Sequence, residues 1–219
     1  MNTSIQQARF NMVEQQVRPW DVVDARVLAA LSSVPREQFV PAAHRELAFA
    51  DLALPLTHGE VMMRPVHEGR MLQGMQIGAG DSVLEVGTGS GFITACLAFL
   101  AADVLSVEFH ADLAEQARAK LLSAGVGNAR VQVGDALSGF DPRQQFDAIA
   151  LTGAVASEPM QFRGWLKPGG RLFLIRGQSP LQEALCIVRR DGGRFEETSL
   201  FETDLPYLIN AAPPKRFVL

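Results

Sequence analysis

From residue 83 onward the chain alternates short apolar runs with longer amphipathic stretches, a pattern that predicts strands separated by helices. Apolar runs at 83–86, 104–108, 130–133, 146–152 and 170–175 have the length and the Val, Leu, Ile and Phe content of buried strands. Helical segments at 91–101 and 111–124 separate the first three, and Gly125 is placed to cap the second helix. Lys167-Pro168-Gly169-Gly170 is a turn before the fifth run, and residues 185–189 and 195–201 flank Arg190-Asp191-Gly192-Gly193 as a hairpin. Parallel strands joined by helices and closed by an antiparallel hairpin predict an α/β fold, a doubly wound, seven-stranded and mostly parallel sheet of the Rossmann-like kind.

The first 65 residues carry a different pattern. Phe10, Val13 and Val17 fall on one face of a predicted helix that Pro19 ends. Asp21 is the predicted N-cap of a second helix carrying Val23, Val27, Leu28 and Leu31, which stops before Pro35. An irregular stretch over 41–65 is punctuated by Leu54-Pro55, Gly59 and Pro65. A helix from Val66 then leads through Gly78-Ala79-Gly80 into the first strand. Residues 1–65 are therefore read as an N-terminal helical cap on a domain spanning 66–219, the two forming one structural unit.

Composition narrows the setting. At 219 residues, 47% hydrophobic and 20% charged, the chain has the balance of a globular domain with a sizeable core. Its beginning lacks an apolar signal region and no run is long enough to span a bilayer, so the expectation is a cytoplasmic protein without a membrane partner. A net charge of −4 offers no general attraction to nucleic acid. Cys96 and Cys186 sit singly in apolar surroundings and read as core residues.

The chemistry concentrates at strand tips. Residues 83–92, VLEVGTGSGF, run an apolar strand into Gly87, Gly89 and Gly91 with Thr88 and Ser90 between them, a turn against whose bare backbone a ligand can lie. Glu85 precedes the turn, Glu108 ends the next run, Asp135 and Ala136 follow the third, and Thr152 ends the fourth. This succession suits S-adenosylmethionine. Glu108 can accept from both ribose hydroxyls and Asp135 from the adenine amino group. Glu85 and the turn carbonyls can take the methionyl ammonium, and the following helix N-terminus its carboxylate. A dinucleotide pyrophosphate would meet repulsion from Glu85. Taken singly, each glycine could serve a plain turn, Glu108 a helix N-terminus and Asp135 a local cap.

Several longer segments are more specific than the glycine turn. MVEQQVR at 12–18, RVLAAL at 26–31, VPREQFVP at 34–41, VGDA and LKPGGRL together resemble the protein-L-isoaspartate (D-aspartate) O-methyltransferases over nearly the whole length. That resemblance implies a class I methyltransferase fold and methyl transfer from adenosylmethionine to the isoaspartyl carboxylate of damaged proteins or peptides, starting repair through a succinimide. One loop departs from the family pattern. Where the family carries Gly-x-Thr-Ile-Ser-x-Pro, with a serine contacting the acceptor, this chain has Gly59-Glu60-Val61-Met62-Met63-Arg64-Pro65. A thioether cannot donate, so Met63 cannot make that serine's hydrogen bond. Candidates on the acceptor side are Glu60, Met63, Arg64 as a carboxylate clamp and His67 as a base for a hydroxyl acceptor; each also has a structural reading, as a solvent-facing or packing residue. His58-Gly59-Glu60 has the H-x-E of zinc deaminases without its P-C-x-x-C partner, so no metal site is expected. Two other functions stay open: a methyltransferase for a different, less polar acceptor, and a non-catalytic adenosylmethionine-binding protein.

Overall fold

The computed structural model describes residues 3–214. Its sheet has seven strands in the order β5-β4-β3-β6-β7-β8-β9. The strands are β3 (Ser82–Val86), β4 (Asp103–Glu108), β5 (Ala129–Val133), β6 (Phe146–Val155), β7 (Leu166–Gln178), β8 (Leu181–Arg189) and β9 (Phe195–Thr203); β1 (Leu54–Pro55) and β2 (Val61–Met62) form a separate small ladder. β3 to β7 run parallel, while β8 and β9 pair antiparallel with Arg189 opposite Phe195. The expected sheet and closing hairpin are thus present. β3 lies between β4 and β6, so the chain winds outward on one side and then crosses to the other. That reversal opens a crevice at the carboxyl ends of β3 and β6.

Helices α4 (Pro65–Met75), α5 (Phe92–Leu100) and α6 (Ala111–Ser123) support one half of this frame. The cap contributes α1 (Thr3–Asn11), α2 (Ala25–Ser33) and the single turn α3 (Arg36–Phe39). Met12, Val17, Leu31 and Phe39 of the cap join Met71, Leu72, Phe92 and Leu97 in one buried cluster. The contact is close: a Cβ on Gly69 would lie 2.5 Å from Cγ1 of Val17, so α4 accepts no side chain there. A second cluster, built on Leu84, Phe146, Ile149, Phe162 and Leu174, fills the opposite face of the sheet.

Two details of the cap differ from the sequence pattern. Phe10 is 57% exposed, because α1 passes into a π-helical turn at Met12–Val17 whose extra residue per turn directs Met12, Val13 and Val17 inward instead. Asp21 adopts φ +58 and ends the first helical segment, while Asp24 caps α2 by accepting from the Arg26 amide at 2.8 Å. Val23 therefore lies outside α2 and is exposed.

Candidate active site

The glycine turn leaves β3 with Gly87, Gly89 and Gly91 at φ +96, +51 and +86, values open to glycine at little cost. Gly87 is further constrained by Thr152, whose Oγ1 would lie 2.6 Å from an added Cβ and which donates to the Gly87 carbonyl. Gly91 precedes α5 and fixes its start. The turn faces a cleft of about 600 Å3 bounded by Glu60, Val61, Glu108, Phe109, His110, Asp135, Ala136, Thr152 and Leu208. A smaller adjoining space of about 310 Å3 lies between Val61, Met62, Met63 and Glu68 on the cap side and Thr88, Ser90, Phe92 and Ile93 on the other.

Glu108 and Asp135 stand in the cleft as the strand order predicts, and each is held by the backbone. Glu108 accepts from the Gly89 amide at 2.8 Å and the His110 amide at 2.9 Å, so it also braces the turn. Asp135 accepts from the Leu137 amide at 2.9 Å and from the Asn210 side chain at 2.7 Å.

Glu85 differs from its expected place. It is fully buried beneath the turn, where Thr94 and Ser106 donate to Oε2, and it lines neither space. Thr88 in turn bonds Ser106. Burial pushes the Glu85 carboxyl up to about 8, against the lowering effect of the two hydroxyls. The cause of the difference is geometric: alternation along β3 sends Val86 toward the cleft and Glu85 into the layer below.

The acceptor-side candidates also separate. Glu60 lines the cleft and Met63 the smaller space. Burial raises the Glu60 carboxyl while His110, 3.8 Å away, opposes the rise. Arg64 faces Asp51, to whose carboxylate both Nε and Nη2 donate, and it lines neither space. His67 is buried on the far side of α4, stacked on Phe201 at 4.6 Å and beside Thr203. Burial first, then Arg64, lowers it to about 4, so it is a neutral packing residue. Local geometry separates the two from Met63: Arg64, the N-cap of α4, turns to Asp51, and the first turn of α4 carries His67 toward Phe201.

Sequence reasoning missed other parts of the site. His110 lines the cleft, and His58, outside that lining, adopts φ +62, pairs with Asp112 at 2.8 Å and stacks on His110 at 4.0 Å, fastening the cap loop beside the cleft. Leu208 and Ile209 close the opposite side from a segment after the last strand, where Leu208 bonds the Ala154 carbonyl. No periodicity announces that segment; Pro206 was its only signal. Among the described residues, no group of His, Cys, Asp and Glu could hold a metal ion.

A glycine cradle after β3 and carboxylates at the carboxyl ends of β4 and β5, Glu108 and Asp135, fit adenosylmethionine. Fold and site define a class I adenosylmethionine-dependent methyltransferase. The model of the protein-L-isoaspartate(D-aspartate) O-methyltransferase family matches residues 8–205, and the chain belongs to that family. It is 40% identical to the protein-L-isoaspartate O-methyltransferase of Koribacter versatilis over 88% of this chain and 86% of that protein. Its identity to the enzyme of the same name from Methanoculleus marisnigri is also 40%, over 84% of each. A Plasmodium falciparum structure assigned to the same family, in complex with S-adenosyl-L-homocysteine, superposes with a TM-score of 0.77 at 18% identity, covering 90% of this chain and 96% of that one.

Proposed function

We propose that this protein transfers the methyl group of adenosylmethionine to the carboxylate of L-isoaspartyl residues in damaged proteins and peptides. The observation that carries the reading is the family match over residues 8–205, which includes the cap loop standing over the cleft. Bound adenosylmethionine supplies an electrophilic methyl and a neutral thioether leaving group. Glu108 would hold the ribose diol, Asp135 the adenine amino group, and the backbone of the glycine turn the methionyl end. A carboxylate acceptor is already charged, so the protein need only align it and exclude water. This agrees with a site in which neither Arg64 nor His67 reaches the cleft. A cytoplasmic location belongs to this reading, and free, buried Cys96 and Cys186 are compatible with a reducing compartment.

Incubating the protein with methyl-labelled cofactor and an isoaspartyl peptide tests the proposal directly. Label transferred to the peptide, and lost on mild alkaline treatment as a carboxyl methyl ester is, is the expected result. No transfer, alongside measurable turnover of small phenols or acids, would favour the second reading. That second reading rests on one observation: Val61, Met62 and Met63 make the acceptor side apolar.

A further inference from the structure

One member of a buried ion pair that methyl transfer as described above does not use, Glu68, lines the space between cap loop and glycine turn. Arg36 and Glu68 are 0% and 1% exposed, and Arg36 Nη1 pairs with Glu68 Oε2. Arg36 is anchored three further ways: Nε donates to Ala48 O at 2.9 Å, Nη2 to Met63 O at 3.0 Å, and its guanidinium lies 4.6 Å from the Phe92 ring centre. A pair this deeply buried adds little stability over apolar residues of the same size. What its carboxylate faces is therefore informative. Glu68 lines the smaller space with Met63, Thr88, Ser90 and Phe92, and no described residue donates to its Oε1.

Across that space α5 begins at Phe92, and the open N-terminus of a helix favours negative charge. An anionic carboxylate on one side and a helix N-terminus on the other complement a zwitterionic α-amino-acid head group, ammonium toward the first and carboxylate toward the second. Adenosylmethionine ends in that group. Arg36 keeps its charge at any relevant pH, so the pair is neutral and a zwitterion added to it leaves no net buried charge. We propose that Glu68 accepts the methionyl ammonium of the cofactor, the role the sequence assigned to Glu85. Arg36 is its positioning residue, fixing the carboxylate and tying it to the acceptor loop through the Met63 carbonyl. The assignment rests on the adenosylmethionine reading of the cleft.

Titration calorimetry with adenosylhomocysteine and its desamino analogue, in which hydrogen replaces the ammonium, tests this on the wild type, on Glu68→Gln and on the double variant Arg36→Met with Glu68→Leu. The wild type should prefer adenosylhomocysteine by about 10- to 100-fold, as expected for charge-assisted bonds to one group. Glu68→Gln should lose most of that preference while binding the desamino analogue within about threefold of wild type, a pattern that general disruption of the site would not produce. The double variant removes the buried charge problem and should fold with the same loss of preference. Equal wild-type affinity for both ligands, or a preference that survives in whichever variants fold, would overturn the assignment. Failure of the wild type to bind adenosylhomocysteine at all would instead sink the cofactor reading, and this assignment with it.

Discussion

Restoring the family's hydroxyls in the cap loop, by Val61→Thr together with Met63→Ser, separates stability from catalysis. Met63 is 4% exposed and belongs to the main buried cluster, while Val61 is partly buried at the edge of both spaces. Shortening a buried methionine costs about 2–4 kcal/mol in lost burial and residual cavity, and exchanging valine for threonine adds roughly 1. Against the roughly 5–15 kcal/mol that holds most domains folded, the variant should still fold but melt on the order of 10 °C lower. If isoaspartate is the acceptor, a hydroxyl at position 63 should nonetheless raise kcat/KM by about 10- to 100-fold, the equivalent of one hydrogen bond to a charged group. Steady-state kinetics on an isoaspartyl peptide, run well below the lowered melting temperature, read the second effect and calorimetry reads the first. For a less polar acceptor, the same change should leave isoaspartyl turnover at background and damage the native reaction by removing apolar wall. A robust wild-type isoaspartyl rate that the substitutions do not alter would refute the reasoning, since the serine position would then be dispensable here.

Other outcomes follow from the geometry. Glu108→Ala should weaken adenosylhomocysteine binding by about 1.5–3 kcal/mol and also loosen the turn by freeing the Gly89 amide; wild-type affinity by calorimetry would remove Glu108 from the cofactor site. Glu85, raised to about 8 from an ordinary value near 4.5, keeps in the folded state a proton that the unfolded chain releases, so it makes stability fall as pH rises between those values. Glu85→Gln should remove that slope, about 1.4 kcal/mol per pH unit at most, and unfolding curves of variant and wild type that stay parallel from pH 5 to 8 would contradict the buried, protonated carboxyl. A chain starting at residue 66 should express poorly or bind cofactor weakly, because the cap residues share the core of α4 and α5; cooperative melting near the full-length temperature would show that the cap is dispensable.

The first strands of the sheet were legible because they are short and apolar and because α5 and α6, whose periodicity differs from theirs, separate β3, β4 and β5; glycines mark both ends of β3 and β5. Gly87, Gly89 and Gly91 revealed the crevice for a related reason: a positive φ is a backbone requirement, visible in residue type without any knowledge of neighbours. Side-chain roles depend on what long-range packing brings together, and there the reading was weaker. Glu85 and Glu68 are both acids near the turn in space, but only the strand's alternation and the course of α4 decide which of them faces the ligand space. Arg64 and His67 sit beside Met63 in sequence and point elsewhere, one to Asp51 and one to Phe201. Phe10 misled through a π-helical turn, which shifts the helical register by one residue without a sequence marker.

The two walls of the site ask different things of a substrate. On the proposed cofactor wall, the carboxylates of Glu108 and Asp135 are held by the amides of Gly89, His110 and Leu137 and by the Asn210 side chain. On the acceptor wall the side chains of Val61, Met62 and Met63 offer no donor, and the Met63 carbonyl, an acceptor, is held by Arg36. A carboxylate placed against these side chains loses water without gaining a side-chain partner, which weakens binding and leaves a less hydrated, more reactive nucleophile. For an isoaspartyl acceptor the apolar loop should therefore raise KM more than it lowers kcat, provided that the peptide backbone keeps the carboxylate in line with the methyl group. A wild-type kcat depressed with KM unchanged would locate the fault in alignment, and would place the missing hydroxyl's work in the transition state alone.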